Sequence, residues 1–219
     1  MLVNHVGIVP GRLTKPHHTE ILAEGPRVAR ALEKQVKRDF RPLWGIDATV
    51  RFYRSLGDVP VGCWPVIIDE RLRGSTDYGF HWDLSGQPLA RMRYDPKNAW
   101  SATASHEILE MLVDPYGERL VAAPSIDPRY RHHDVLYLAE VCDPCENVTY
   151  EIDGVTVSDF ITPGYFDAKP SKRGRYSFTR RVKRPREVLV GGYISWTDPQ
   201  LGRSFELDRF KRDATIKRI

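Results

Sequence analysis

The sequence predicts an α+β fold, and its hydrophobic patterning is the basis for that prediction. Apolar and other residues alternate over residues 2–10 and 48–53, which is typical of strands. Over residues 26–40 the apolar residues recur at three- and four-residue steps, as in an amphipathic helix. The chain has 219 residues, of which 41% are hydrophobic and 28% charged. This composition is sufficient for one main domain with a buried core.

The next elements predict that further strands join the same sheet. Residues 64–69 contain the apolar run Pro-Val-Ile-Ile, which is typical of a buried strand, and residues 89–94 alternate again. Between these strands, residues 70–88 are polar and contain several glycines. We therefore expect a long loop or an irregular hairpin there.

The second half of the chain begins with a predicted helix and continues with strands. Residues 101–113 contain neither glycine nor proline and are rich in Ala, Leu, Ile and Met, with Ser101 available as the N-cap. A strand is predicted over residues 135–141 and a hairpin over 148–158. In the hairpin, Asp153-Gly154 is the expected two-residue turn. The part of the chain after the helix is thus predicted to be rich in β-structure.

Basic residues are concentrated at the C-terminal end. The net charge is +4, but residues 169–219 contain 15 Lys and Arg against 5 Asp and Glu, whereas residues 1–168 contain 18 against 24. We expect a folded domain over residues 1–168 and a basic C-terminal extension over residues 169–219. The extension is predicted to contact nucleic acid or an acidic protein partner, or else to form a solvated basic rim or assembly arm.

Other features of the sequence argue against secretion and membrane insertion. No stretch reaches the roughly 18 to 20 consecutive apolar residues of a membrane-spanning helix, and the first residues lack the pattern of a secretory signal. The three cysteines, Cys63, Cys142 and Cys145, are too few for a disulfide framework. Cys142 and Cys145 are expected to pack or to form an occasional disulfide, and the alternative is a metal site of mixed His, Cys and carboxylate ligands. We expect a cytoplasmic protein without membrane contact.

The predicted helix carries a pattern that fits a metal site. His106 and Glu110 are four residues apart in His-Glu-Ile-Leu-Glu, so their side chains project from the same helix face. The related HExxH arrangement has a second histidine at the last position, and zinc accepts a carboxylate oxygen as well as an imidazole nitrogen. Glu107 is then the candidate general base. The alternative is a His106–Glu110 pair without an ion.

Two ligands from one helix leave the coordination shell incomplete, so a third must come from elsewhere. The segment 138–146 offers carboxylates at the end of a predicted strand; Asp143 is the first choice and Glu140 the second. His81 lies before the strand that precedes the helix, and aromatic loop packing explains it more simply.

Three segments carry a resemblance to a known group of proteins. Residues 105–115 (SHEILEMLVDP), 140–143 (EVCD) and the hairpin at 150–160 resemble uncharacterised bacterial and phage-associated proteins, a group that itself resembles the zincin-like metallopeptidases. The resemblance extends over about residues 4–167. It implies a mixed, twisted sheet with an active-site helix, and an edge strand at residues 89–94 that aligns an extended peptide.

The resemblance also implies roles for the site residues. His106 and Glu110 would be metal ligands, Glu107 the general base, and Asp143 or Glu140 the third ligand to a zinc ion. We therefore expect a zinc-dependent metallopeptidase that hydrolyses peptide bonds in a peptide or protein substrate. The alternative is a non-catalytic, zincin-like binding or assembly module of a phage or mobile element, virion-associated if phage-encoded, whose basic extension contacts nucleic acid or an acidic partner.

Overall fold

The computed structural model describes residues 2–72, 78–96 and 99–219, which form an α+β fold with mixed sheets, as predicted. The chain divides into two compact units. The first comprises Met1–Gly117 and Tyr150–Val157, and the second comprises Glu118–Thr149 and Ser158–Ile219. Among the described residues, no helix combines the length and the apolar character that crossing a membrane requires.

Twelve strands and three α-helices occur in the described ranges. The strands are β1 (Val3–Pro10), β2 (Asp47–Phe52), β3 (Trp64–Asp69), β4 (Gly79–Leu84), β5 (Gln87–Arg93), β6 (Leu120–Pro124), β7 (Asp134–Leu138), β8 (Thr149–Ile152), β9 (Val155–Ser158), β10 (Tyr193–Asp198), β11 (Arg203–Asp208) and β12 (Thr215–Arg218). The helices are α1 (Lys15–Lys34), α2 (Arg41–Trp44) and α3 (Trp100–Val113), with a π-helical segment (Gln35–Phe40) between α1 and α2.

The first unit is built on a five-stranded mixed sheet in the order β2-β1-β3-β5-β4. Strand β1 pairs in parallel with β2 and β3, β3 pairs in parallel with β5, and β4 is antiparallel to β5. The interior strand β1 buries Val6, Ile8 and Val9 completely. Such near-continuous burial is expected of a parallel strand that is covered on both faces.

Helix α1 begins earlier than predicted. The sequence pattern placed its start at Pro26, but the helix begins at Lys15, has a proline in its first turn, and contains Pro26 in its interior. Buried residues occur on both sides of Pro26, from Ile21 to Leu32. The packing of this continuous apolar face therefore outweighs the hydrogen bond that an internal proline removes.

The edge strand differs from the one that the resemblance implied. Residues 89–94 were expected at the edge, but β5 lies between β3 and β4, and β4 is the edge strand on that side of the sheet. β4 falls in the segment predicted as a loop or irregular hairpin. It forms a hairpin with β5 through Ser85 and Gly86, which both have positive φ (53° and 81°), as a tight two-residue turn requires. Residues 73–77 of that segment lie outside the described residues.

The second unit contains an antiparallel sheet in the order β12-β11-β10-β7-β6. The three C-terminal strands thus pair with β6 and β7 through β10, and residues on both sides of position 168 belong to this unit. This division differs from the predicted boundary after Ala168. The reason is that β10 and β11 bury alternate apolar residues, including Ile194, Trp196 and Phe205, a period-two pattern that a count of charges does not detect.

Candidate metal centre

Helix α3 presents the predicted metal-binding pair. The His106 Nε2 and Glu110 Oε2 atoms are 3.0 Å apart, and their side chains are 15% and 5% exposed. Most of the helix is buried, including Glu107. An α-helix that is apolar on most of its surface belongs inside a domain, so the polar side chains of α3 are carried into the interior with it.

The start of α3 differs in one detail from the prediction. The helix begins at Trp100, with Ala99 as the N-cap residue and no side-chain cap. Ser101, predicted as the cap, instead donates its hydroxyl proton to the carbonyl oxygen of Thr156 at 2.7 Å, in the β8–β9 hairpin of the same unit. The turn of that hairpin is at Asp153-Gly154, as predicted.

His81 joins the site, which corrects its assignment to a loop. It lies on β4, and its Nε2 is 2.9 Å from the backbone oxygen of Asp114, at the end of α3. A carbonyl oxygen only accepts hydrogen bonds, so Nε2 carries a proton and donates. The Nδ1 atom then faces Glu107, 3.8 Å from Oε2, and both side chains are almost fully buried.

Glu107 is an acidic side chain in a buried position. A separation of 3.8 Å is too long for a hydrogen bond to His81, and Glu107 Oε2 has no hydrogen-bond partner in the described part of the chain. Burial raises the pKa of Glu107, and His81 and His106 oppose that shift. Burial lowers the pKa of His81, but the carboxylates of Glu107 and Glu110 outweigh it, so that this pKa is raised.

The residues of the first unit bring together the donors that a divalent cation needs. One ligand atom each from His81, Glu107 and Glu110 lie within 4.8 Å of one another. Glu110 also contacts His106. Imidazole nitrogens and carboxylate oxygens are ligands that zinc accepts. A bound cation would also compensate the buried Glu107 oxygen, so these residues fit a metal ion.

Gly79 is a residue of the site that sequence reasoning did not find. A β-carbon at this position on β4 would overlap the Glu107 carboxylate. Only glycine lets the strand approach this side chain so closely. The sequence signal was present but weak, since Gly79 lies two residues before His81 in a segment with several other glycines.

A chain of polar contacts fixes α3 against its neighbours. The Ser105 hydroxyl donates to Gln35 Oε1 at 2.8 Å, and Gln35 Nε2 donates to the Tyr150 hydroxyl oxygen at 3.1 Å. The Tyr150 hydroxyl donates to Asp39 Oδ2 at 3.0 Å. Ser105 and Gln35 are both buried. These contacts join α3 to the π-helical segment and to the β8–β9 hairpin, which holds the adjacent His106 in place.

The candidates for the third ligand lie in the second unit. Asp143 is buried in a short 3₁₀ turn, Asp143–Cys145, and Glu140 lies just before it. Their roles as ligands stay predictions. Cys142 and Cys145 are fully buried, and neither they nor Cys63 forms a disulfide in the described residues. Burial of both cysteines agrees with the expectation that they pack, and the alternative of a mixed metal site stays a prediction.

Comparison with known proteins does not add a family to this description. No protein-family model matches the chain, and no curated protein and no solved structure matches it either.

Proposed function

We propose that this chain is a metal-dependent hydrolase that cleaves peptide bonds, with zinc as its ion. The observation that carries the proposal is the buried Glu107 carboxylate, with one oxygen that lacks a hydrogen-bond partner in the described residues, among His81 and the His106–Glu110 pair. Buried ionisable groups with shifted pKa values and specific charge partners are concentrated at functional sites.

In this proposal, residues of the first unit would bind the metal ion and transfer the proton. His106 and Glu110 would hold the ion, and His81 would add a further ring nitrogen. Asp143 and Glu140 stay the sequence-based candidates for a third ligand. When bound, a zinc ion supplies Lewis-acid activation of water and polarises a substrate carbonyl. Glu107 accepts the proton of the attacking water and delivers it to the nitrogen of the leaving amine.

The position of His81 supports the choice of a peptide as substrate. His81 lies on β4, an edge strand of the sheet, and Glu107 is therefore beside a strand with which an extended peptide can pair through its backbone. The hydrogen bond from His81 Nε2 to the Asp114 carbonyl oxygen orients the imidazole ring, as the outer hydrogen bonds of metal-site histidines commonly do.

The proposal is tested first by elemental analysis of protein that has been stripped with a chelator and re-equilibrated with zinc. We expect a stoichiometric amount of zinc in the wild type, and loss of that zinc in His106→Ala and in Glu110→Ala. The exposed residues Glu20 and His132 provide matched controls. Glu20→Ala and His132→Ala are expected to keep the metal. Absence of zinc from the wild type would refute the proposal.

Hydrolysis is then measured on an unstructured protein substrate. Glu107→Gln keeps the shape of the side chain but removes its capacity to accept a proton, so we expect it to retain zinc and to lose at least about 100-fold in turnover. If zinc binds but wild type and Glu107→Gln cleave at the same background rate, the site binds a metal without catalysing hydrolysis.

A further inference from the structure

The second unit contains a strongly basic segment, residues 167–187. It has nine lysines and arginines against two acidic residues, Asp167 and Glu187. Seven of the basic side chains are exposed: Lys169, Lys172, Arg173, Arg180, Arg181, Lys183 and Arg184. We refer to residues 167–187 as the basic segment.

The second half of the basic segment is a loop with well-defined hydrogen bonds. Thr179 donates from its backbone nitrogen and from its hydroxyl to the two carboxylate oxygens of Asp159, at 2.9 and 2.6 Å, and Asp159 is fully buried. The Val182 nitrogen donates to the Ser177 hydroxyl at 3.3 Å, and Val182 is buried. The loop therefore presents its cations from a fixed backbone, which lowers the entropic cost of binding a ligand.

Further contacts join the two halves of the basic segment. The Arg186 guanidinium donates to the carbonyl oxygens of Asp167 and Ala168. The Ser171 nitrogen donates to the Tyr176 hydroxyl at 2.7 Å. The lysines and arginine near position 170 and the cations near position 182 are consequently parts of one folded segment rather than of a trailing tail.

In the described part of the chain, no acidic side chain forms an ion pair with the exposed cations of the loop. Within the described residues, no carboxylate lies within 4 Å of the charged groups of Arg180, Arg181, Lys183 or Arg184. Arg180 also has a positive φ of 61°, a conformation that residues with a β-carbon rarely adopt. At Arg180, an unfavourable backbone conformation therefore coincides with a positive side chain that forms no ion pair within the described residues.

The surface chemistry of the basic segment indicates the kind of partner. None of the large apolar side chains that are exposed in the described chain falls between residues 167 and 187. Protein–protein interfaces usually have an apolar centre, which this segment lacks. Its two aromatic rings are also engaged, because Tyr176 is buried and Phe178 stacks on Phe160 and contacts the Arg175 guanidinium. Bases therefore find no free ring on which to stack.

We propose that the basic segment binds the phosphate backbone of a nucleic acid without regard to base sequence. Arginine matches phosphate geometry through paired N–H donors, and clustered cations gain affinity by releasing the counterions of the polymer. This inference is independent of the proposed hydrolase activity, because it concerns other residues and another ligand.

The test measures binding of a labelled, random-sequence DNA duplex by fluorescence anisotropy over a series of salt concentrations. The loop variant R180Q/R181Q/K183Q/R184Q removes four exposed positive charges. We expect the wild type to bind with a strong salt dependence, and the loop variant to lose up to about 0.9 in the logarithmic salt slope for each phosphate contact removed. A second duplex of different sequence is expected to bind equally well.

A matched control variant distinguishes the effect of the basic segment on DNA binding from the effect of the net charge. R203Q/K211Q/R212Q/R218Q removes four exposed positive charges from the same unit outside the basic segment. We expect the control variant to bind like the wild type, and both variants to melt at the wild-type temperature. Equal losses in the two variants, or absence of DNA binding by the wild type, would overturn the inference. Preferential binding of polyglutamate over DNA would overturn it in favour of an acidic protein partner.

Discussion

Glu107 illustrates how one residue can be unfavourable for folding and suited to chemistry. Its side chain is 4% exposed, and its Oε2 atom is 3.8 Å from Nδ1 of His81. An ionised carboxylate in this position loses hydration that the surrounding protein only partly replaces. A group with a pKa raised in this way is a stronger proton acceptor than an exposed carboxylate, which is what a general base requires.

The close packing of Gly79 on Glu107 gives a prediction at the level of single residues. Gly79→Ala places a methyl group on the Glu107 carboxylate, so we expect the free energy of unfolding to fall by about 1 to 3 kcal/mol. In a Glu107→Ala background the carboxylate is absent, and the same Gly79→Ala change is expected to cost clearly less. Urea denaturation of the two single variants and the double variant measures this difference.

One outcome of this comparison would contradict the proposed contact between Gly79 and Glu107. If Gly79→Ala costs the same in both backgrounds, the glycine is needed for the strand backbone and not for the approach to Glu107. Gly86 serves as the control. It has a positive φ and open space where a β-carbon would lie, so only its backbone conformation favours glycine.

Individual elements show where local sequence preference and tertiary packing disagree. Pro26 favours a helix start by its fixed φ, yet it lies inside α1, because the apolar face of the helix continues on both sides of it. The predicted helix over residues 101–113 has no such conflict, and the structure confirms it as α3. The difference is that α3 lacks glycine and proline, so its local preference and its burial agree.

A short turn in the second unit gives a prediction of pH dependence. Asp127 precedes the 3₁₀ turn Pro128–Tyr130, and its carboxylate accepts hydrogen bonds from the Arg129 nitrogen and guanidinium at 2.6 to 3.1 Å. The hydrogen bonds from Arg129 lower the pKa of Asp127. A carboxyl group with a lowered pKa stabilises the fold at pH values above its unfolded pKa of about 3.9, and this contribution is lost as the pH falls through the folded pKa.

We therefore expect Asp127→Asn to lower the free energy of unfolding by about 1 kcal/mol at neutral pH. The value is at the low end for charged hydrogen bonds because Arg129 is 61% exposed. The difference from the wild type should be constant above about pH 5 and should shrink below about pH 4. Asp134→Asn, at an exposed position in the same unit, is the control. Urea denaturation at several pH values measures these free energies of unfolding. An equal loss of stability in Asp127→Asn and Asp134→Asn at every pH would contradict the role given to the Asp127–Arg129 hydrogen bonds.

At the scale of the whole molecule, the chain combines two units with different surface chemistry. The first contains the buried histidines and carboxylates, and the second contains the basic segment and the antiparallel sheet that includes the C-terminal strands. The two proposals are accordingly separable, since the residues that their tests change, His106, Glu107 and Glu110 in one case and the basic segment in the other, belong to different units. Variants in one unit serve as controls for experiments on the other.

Binding of a metal ion is expected to stabilise the folded chain. A ligand that binds only the folded state adds about 2.7 kcal/mol to the free energy of unfolding when its free concentration is 100 times its Kd. Addition of zinc should therefore raise the unfolding temperature of the wild type and of His132→Ala, and a chelator should reverse the rise. In His106→Ala we expect no comparable rise. A shift of equal size in His106→Ala would assign the stabilisation to other zinc-binding groups.

The contact between His106 and Glu110 could be predicted because both residues belong to one helix. The helical period places His106 and Glu110 on the same face whatever surrounds the helix, and the observed separation of 3.0 Å agrees with it. His81 could not be predicted in the same way. It reaches Glu107 only because β4 forms the sheet edge next to α3, and that placement depends on a hairpin in a segment whose composition resembles a loop.

The sequence by itself determined the features that depend on neighbours along the chain. These are the α+β class, helix α3, the hairpin turn at Asp153-Gly154 and the excess of positive charge near the C-terminus. Only the tertiary structure decided the order of strands, the edge position of β4, the contact of His81 and Gly79 with Glu107, and the pairing of β10 with β7. The physical reason is that local periodicity sets which face of an element is apolar, whereas burial of that face against distant elements sets its neighbours.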